Sequence, residues 1–529
     1  MTEDAKPNIL FIMCDQLRWD YLSCNGHPTL KTPNIDRLAE QGVLFERCYV
    51  QSPVCGPSRA STYSGRYVSS HGVTWNGVPF PVGEWTMGDY LSRAGYRVAV
   101  AGKTHIVPDR AGLERIGRPV TTPEGRLHGQ GHIEPFDRDD GIHTDVFLEH
   151  GPRPRYSSWL QAQGYEGNNP WHDYANSVET PEGDVISGWQ MRSAPYPARV
   201  PADHSETAYF TDRAMQFIEE TGDRPWLLHL SYIKPHWPYV APAPYHALYC
   251  AADILPAVRS DAEREAAHPI AKAFMDMEPG KSFSRDEVRE AVIPAYMGLI
   301  KQVDDELGRL FAWLTETGRA ENTVIVFTSD HGDYLGDHWM GEKELFHDAS
   351  ARVPLIIMDP RACTDATRGR RVAALTEAID LVPTFLDLAG LPPDDQRLEG
   401  RSLTPFLTGS EIGDWRKMVF SELDYAFYGA RLTLGRGPGD ARLAMLFDGR
   451  YKYVYSVGYR PQLFDLEADP SELNDLGALP EQARRCEDFR AALLDRYITL
   501  RHRATESDSS VNARTARETD LGIHIGRWK

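Results

Sequence analysis

The chain has 529 residues, 41% of them hydrophobic and 25% charged, more than one hydrophobic core usually serves, so a large and a smaller domain are expected. The 57 Lys and Arg against 76 Asp and Glu leave a net charge of −19, which argues against nucleic acid or an anionic membrane as a partner. No apolar run approaches the roughly 18 residues of a membrane helix, and the seven cysteines are odd in number and scattered, so a cytoplasmic, reducing setting is expected.

In chain order, Asn8–Cys14 comes first, an apolar run without alternation, as a strand buried on both faces would be. Thr86–Ala94 sets Met87, Tyr90 and Leu91 on one helical face and stops at Gly95. Val98–Ala101 reads as a second buried strand. The segment 107–205 is rich in Gly, Pro, His and Asp and weak in periodicity, so it reads as long loops over one end of a sheet. Trp226–Tyr232 is a third strand. From Arg289 to Gly318, Val292, Tyr296, Leu299, Val303, Leu307, Leu310 and Leu314 recur at helical spacing. Thr323–Ser329 and Val353–Met358 complete the set, with Pro354 at a strand's start, where a missing donor is tolerated. Strands alternating with helices predict an α/β fold with a mainly parallel sheet between helices.

From about Asp414 the pattern becomes strand-like pieces (Met418–Glu422, Leu443–Leu446, Tyr451–Val457) closed by a helix near Gln482–Thr499. The expected organisation is therefore a catalytic domain over 1–412, a small α+β domain over 413–501 and a polar tail over 502–529. That tail ends Ile523-His524-Ile525-Gly526-Arg527-Trp528. An apolar ending after a polar stretch suits an arm reaching a neighbouring subunit; simple terminal disorder is the plain alternative.

Functional groups in open α/β sheets gather at the carboxyl ends of the strands. Four predicted strands end in reactive types: Asp15 and Gln16, Lys103 and His105, Lys234 and His236, Asp330 and His331. One such ending is an ordinary loop polar. Four together point to metal-ligand and acid–base chemistry.

The most specific motif is Cys55-Gly56-Pro57-Ser58-Arg59, continued by Ala60-Ser61-Thr62-Tyr63-Ser64-Gly65. A lone cysteine is most often a buried structural one. A cysteine phosphatase would carry its arginine where this chain has Ser61, and Cys48 is too far away to share a zinc ion with Cys55.

With these pieces stand Asn-Ile-Leu-Phe-Ile-Met-Cys-Asp-Gln at 8–16, Thr-Pro-Asn-Ile-Asp-Arg-Leu-Ala at 32–39 and Gly-Lys-Thr-His at 102–105. Thr-Ser-Asp-His-Gly at 328–332, Gly-Asp-His at 336–338 and Leu-Phe-Asp-Leu at 463–466 follow. Nearly end to end, the chain resembles the type I sulfatases of the alkaline phosphatase superfamily. The run at 234–246 is most similar to the branch holding arylsulfatases and phosphonate monoester hydrolases. The resemblance implies an alkaline-phosphatase-like fold and a small-molecule sulfate or phosphonate ester as substrate. It also implies conversion of Cys55 to formylglycine by a formylglycine-generating enzyme, and a homo-oligomer, dimer or tetramer.

Residue by residue, Asp15, Asp330 and His331, with Gln16 and the modified Cys55, match the ligands of one divalent cation. Arg59 matches the residue that holds the nucleophile's oxygen, and Lys103 and Lys343 those that grip the transferred group. His236 is matched to protonation of the leaving oxygen, His105 to removal of a proton from the nucleophile's second hydroxyl, and Asn76 to a substrate hydrogen bond. On spacing alone Lys343 reads equally as a surface lysine and Asn76 as a turn residue before Gly77.

The chain departs from the family where many members carry two adjacent Asp, here Asp15-Gln16, and an Asn, here His331. An amide and an imidazole in place of a carboxylate and a carbonyl favour Mn²⁺ over Ca²⁺. Lys103 and His105 stand where phosphonate-cleaving relatives place hydroxyl residues, which ranks sulfate monoesters first and phosphonate monoesters or phosphodiesters second. A binding-only homologue would lack something turnover needs, and nothing is missing. A two-zinc phosphatase would need more carboxylate and imidazole ligands than these motifs supply.

Overall fold

The computed structural model describes residues 6–118, 133–138, 154–500, 504–515, 517, 520–524, 526 and 528. Its large sheet has eight strands: β1 (Asn8–Asp15), β2 (Val43–Tyr49), β3 (Arg97–Gly102), β4 (Glu134–Arg138), β5 (Trp226–Pro235), β6 (Thr323–Ser329), β7 (Arg352–Met358) and β8 (Arg370–Glu377). They lie in the order β8-β2-β7-β6-β1-β5-β3-β4. β1 pairs in parallel with both β6 and β5, and β5 with β3; only β7 runs against its neighbours.

The unbroken apolar character of β1 follows from helices on both faces. Leu10, Ile12 and Cys14 face one layer, with α3 (Glu206–Thr221) and α4 (Asp286–Glu316). Ile9, Phe11 and Met13 face the other, with α1 (Cys55–Ser64), α2 (Met87–Arg93) and α5 (Leu381–Leu388). Alternate side chains of one strand thus enter two separate cores. Each fully buried aliphatic side chain contributes about 1.5–3 kcal/mol to that packing.

A second sheet of β9 (Val419–Asp424), β10 (Arg442–Phe447), β11 (Tyr451–Ser456) and β12 (Gln462–Asp465) is antiparallel throughout. One face packs against Tyr49, Tyr334, Leu345 and Phe346 of the first part, and the other receives Phe489 and Leu493 of α6 (Ala483–Ile498). The architecture is the expected one, a mainly parallel sheet between helices with a smaller antiparallel sheet towards the C-terminus.

Four local readings need correction. The segment 107–205 is not all loop, since β4 extends the large sheet at its edge and Ser177–Glu179 pairs with Val185–Ser187. Pro135 in β4 cannot donate to a ladder, which suits an edge strand and hides it from periodicity. Helix α4 begins at Asp286, earlier than Arg289, with Asp286 and Glu287 at its positive end, and continues through Pro294. β2 and β8 escaped notice because their charged residues interrupt the apolar pattern. At Pro354 the register between β7 and β2 shifts, so the missing N–H falls at a bulge.

No described helix is long and apolar enough to cross a membrane. In the tail, Asp508–Arg514 is helical, and Leu521, Ile523 and Trp528 are exposed. Ile525 and Arg527 of the apolar ending lie outside the described residues.

Candidate active site

Adjacent strand ends meet the N-terminus of α1. β1 delivers Asp15 and Gln16, β6 delivers Asp330 and His331, β3 delivers Lys103 and His105, and β5 leads to His236. Cys55 is the first residue of α1, at the positive end of the helix. Gly102 takes φ 109°, and a Cβ there would lie 1.9 Å from the Ser231 carbonyl oxygen. Only glycine lets β3 close against β5 and bring Lys103 into the site. Lys234 is directed elsewhere, its ammonium donating to the Pro238 carbonyl at 2.8 Å.

Cys55 Sγ is 3.0 Å from His331 Nε2, 3.8 Å from Asp15 Oδ1 and 3.9 Å from Lys103 Nζ. Ligating atoms of Asp15, Cys55, Asp330 and His331 all lie within 4.8 Å of one another, and the four side chains are buried. Two carboxylates and an imidazole converging in a dry site fit a divalent cation, whose charge offsets theirs. Gln16 joins this group from the next position: its backbone N–H donates to Asp330 Oδ1 at 3.1 Å, and its Oε1 accepts from Lys343 Nζ at 3.3 Å.

Arg59 turns to the carboxylates. Its Nε donates to Asp330 Oδ2 at 2.8 Å and a terminal nitrogen to Asp15 Oδ2 at 3.1 Å, while the other donates to the Lys103 carbonyl and Ser231 Oγ. Its contacts make it a brace for the two acids that flank Cys55. Lys103 Nζ meets Asp15 Oδ2 at 2.7 Å. Burial alone would raise the Asp15 carboxyl, but the Lys103 and Arg59 cations hold it well below the usual carboxylate range. Burial, then the Asp15 charge, push the unmodified Cys55 thiol far up, so as a plain thiol it is protonated.

Burial also keeps the three imidazoles neutral, His105 and His236 with the help of Lys103. His331 Nδ1–H donates to the Gly332 carbonyl at 2.8 Å, so Nε2 presents its lone pair to the site. His236 Nδ1–H donates to the Trp237 carbonyl at 2.6 Å, and its Nε2 accepts from Lys343 Nζ at 3.4 Å. Lys343 is thus a buried member of the site and the surface alternative fails. Asn76 Oδ1 accepts from Gly56 N–H at 2.6 Å, next to Cys55, and so braces the start of α1.

The charges of Asp15, Asp330 and Asp333 balance those of Arg59, Lys103 and Lys343, with Glu342 4.0 Å from Lys343 beside them, so a divalent cation would supply the positive charge this group lacks. Asp333 was missed in sequence, as were Tyr239, Ser231 and Ser58, whose Oγ donates to the Asp330 carbonyl at 2.6 Å. The only signal for Asp333 was its place in Asp330-His331-Gly332-Asp333.

The chain is similar to known proteins over most of its length. The sequence profile described as Sulfatase matches residues 7–115 and 149–391. That of the N-sulphoglucosamine sulphohydrolase C-terminal region matches 336–498. The chain is 34% identical to the "Multifunctional alkaline phosphatase superfamily protein PehA" of Trinickia caryophylli, covering 92% of this chain and 94% of the relative. It is 28% identical to an arylsulfatase of Clostridium perfringens, again over 92% and 94%. The crystal structure of the phosphonate monoester hydrolase of Agrobacterium radiobacter superposes with a TM-score of 0.80 at 30% identity, over 92% of this chain and 95% of that one.

Proposed function

Because the chain belongs to the sulfatase family of hydrolases, we propose that it cleaves sulfate monoesters of the arylsulfatase type with a formylglycine diol at position 55. Phosphonate monoesters and phosphodiesters are then lesser substrates. The observation that carries this reading is the ring of groups about Cys55 Sγ, which marks where the diol oxygens would lie: His331, Asp15 and Lys103 within 3.9 Å. The reading requires a formylglycine-generating enzyme as partner. A divalent cation held by Asp15, Gln16, Asp330 and His331, manganese in preference to calcium, supplies positive charge that eases deprotonation of a hydroxyl and offsets charge on the transferred group.

The chain's own residues do the rest. Lys103 and Lys343 hold the sulfuryl oxygens, and Asn76, whose Oδ1 steadies the start of α1, donates to the substrate through its NH₂. One diol hydroxyl gives up its proton to Asp15 Oδ1, which lies 3.8 Å from the Cys55 sulfur position, and its oxygen bonds to sulfur as the bond from sulfur to the alcohol oxygen breaks. The Lys343–His236 pair returns a proton to that oxygen, since His236 Nε2 carries none at rest and faces the ammonium. His105 takes the proton of the second hydroxyl, the carbonyl re-forms, and sulfate leaves with the bonding oxygen. Water then rehydrates the aldehyde and never attacks sulfur.

The phosphonate-first reading is favoured by the likeness to the phosphonate monoester hydrolase of Agrobacterium radiobacter. Lys103 and His105, both buried in the cluster, favour sulfate. Measuring kcat/KM with one aryl leaving group on sulfate and on phenylphosphonate decides between them. A higher value for sulfate is expected, and Lys103→Tyr with His105→Thr should move the ratio towards phosphonate. A clear preference of the unaltered enzyme for the phosphonate would reverse the ranking.

A further inference from the structure

The Gln16 amide is gripped by two side chains that are not among the converging Asp15, Cys55, Asp330 and His331. Its Nε2 donates to Asp333 Oδ2 at 2.5 Å and to Tyr239 OH at 3.3 Å. Tyr239 OH donates in turn to the same Asp333 oxygen at 2.7 Å, and the other Asp333 oxygen accepts from the Leu335 N–H at 3.0 Å. All three side chains are buried, Gln16 and Asp333 completely.

An amide has one donating and one accepting end, and a carboxylate can only accept. The Asp333 contact therefore fixes which end of Gln16 is nitrogen and turns Oε1 the opposite way, where Lys343 Nζ donates to it. The backbone is held as firmly. Gln16 sits at φ 65°, a left-handed conformation rare outside glycine, pinned by its N–H on Asp330 Oδ1 and by Tyr296 OH on its carbonyl at 2.7 Å. Reversing the amide would set the Gln16 carbonyl oxygen against the Asp333 carboxylate and its NH₂ against the Lys343 ammonium. Both contacts would then repel.

We propose that Asp333, with Tyr239, is the positioning device that makes Gln16 a metal ligand, and that Asp333 supplies from one shell out the negative charge which an amide ligand lacks. Asp333 thereby sets the choice of metal ion. Many sulfatases place that charge directly on the metal through a second aspartate; here it is displaced by one hydrogen bond. A neutral oxygen on the metal with the charge behind it disfavours Ca²⁺, which collects anionic oxygens, relative to Mn²⁺. The inference rests on Gln16 being a ligand, as read above.

The test is calorimetric titration of Mn²⁺ and of Ca²⁺ into full-length protein stripped by chelator. Asp333→Ala should weaken Mn²⁺ binding by about 10- to 100-fold, as loss of an outer-sphere partner does, and Asp333→Asn, which keeps the shape but not the charge, by less. Gln16→Asp alone sets two carboxylates against each other and should weaken Mn²⁺ binding. Adding Asp333→Asn to it, an exchange of acid and amide at nearly constant shape, should restore the affinity and shift the ratio towards Ca²⁺. The exchange also serves should the alanine variant fail to fold. Wild-type Mn²⁺ affinity in Asp333→Ala, or a double variant no better than Gln16→Asp, would overturn the proposal. Wild-type affinity in Gln16→Ala would instead remove Gln16 from the ligand set.

Discussion

His331 Nε2 stands 3.0 Å from Cys55 Sγ, with its lone pair directed there because Nδ1–H is held by the Gly332 carbonyl. The ring is thus oriented by its own neighbour's backbone before any ion binds. His331→Ala should weaken Mn²⁺ binding by more than the roughly 100-fold upper range of outer-sphere losses. Asp330→Asn should lose metal and activity together. Titration of the stripped variants checks both, and an unchanged affinity would exclude the residue concerned as a ligand.

Arg59 bridges Asp15 and Asp330, all three fully buried. Arg59→Ala leaves two carboxylates in a dry site and should destabilise the metal-free protein by about 3–5 kcal/mol. A bound divalent cation takes over part of the neutralisation, so the loss should shrink when Mn²⁺ is present. Arg59→Lys should not rescue, because one ammonium cannot span both acids and the Ser231 hydroxyl. Urea unfolding with and without Mn²⁺ gives the comparison, and equal losses in both conditions would show that Arg59 is not coupled to the metal site.

Two buried histidines away from the cation site should make the protein acid-labile. His71 accepts from Val73 N–H at Nδ1 and hydrogen-bonds Ser61 Oγ through Nε2. His229 lies between Phe11 and Tyr63. Burial first, then Arg66 and Arg59 respectively, lower each from 6.5 to about 3. Between those values the unfolded chain holds a proton that the folded chain refuses. Stability is therefore complete above pH 6.5 and falls as pH drops towards about 3, by about 1.4 kcal/mol per pH unit for each ring. His71→Gln should reduce the slope of unfolding free energy against pH by about that amount, and an unchanged slope would contradict the assignment.

The tail exposes Leu521, Ile523 and Trp528, the last completely. An apolar ending left exposed at these positions by the described residues suits the expected arm to a neighbouring subunit. Deleting the residues after about 505 should lower the mass in solution by light scattering, and an unchanged mass and activity would leave the tail as a frayed terminus.

The sequence was most readable where burial is two-sided. Asn8–Cys14, Trp226–Tyr232 and Thr323–Ser329 are apolar without interruption because they lie next to one another at the sheet centre, and the reactive residues at their ends follow from that position. β2, with Glu46 and Arg47, and β4, with Pro135, lie further out, where partial exposure admits charge and proline. Within the site, Asp15, Asp330 and Cys55 sit in local motifs. Asp333 and Tyr239 act on Gln16 across 317 and 223 residues, a relation that no local pattern carries. Arg59 was legible as a site residue, but its partners were not, since they depend on β1, β3, β5 and β6 meeting at one end.

The central claim is that residue 55 acts as formylglycine, and the mass of the peptide carrying it tests this most directly. After expression with a formylglycine-generating enzyme, that peptide should lose one sulfur and two hydrogens and gain one oxygen. The fraction so changed should track kcat across preparations. A fully active preparation in which Cys55 remains an unmodified cysteine would contradict the account.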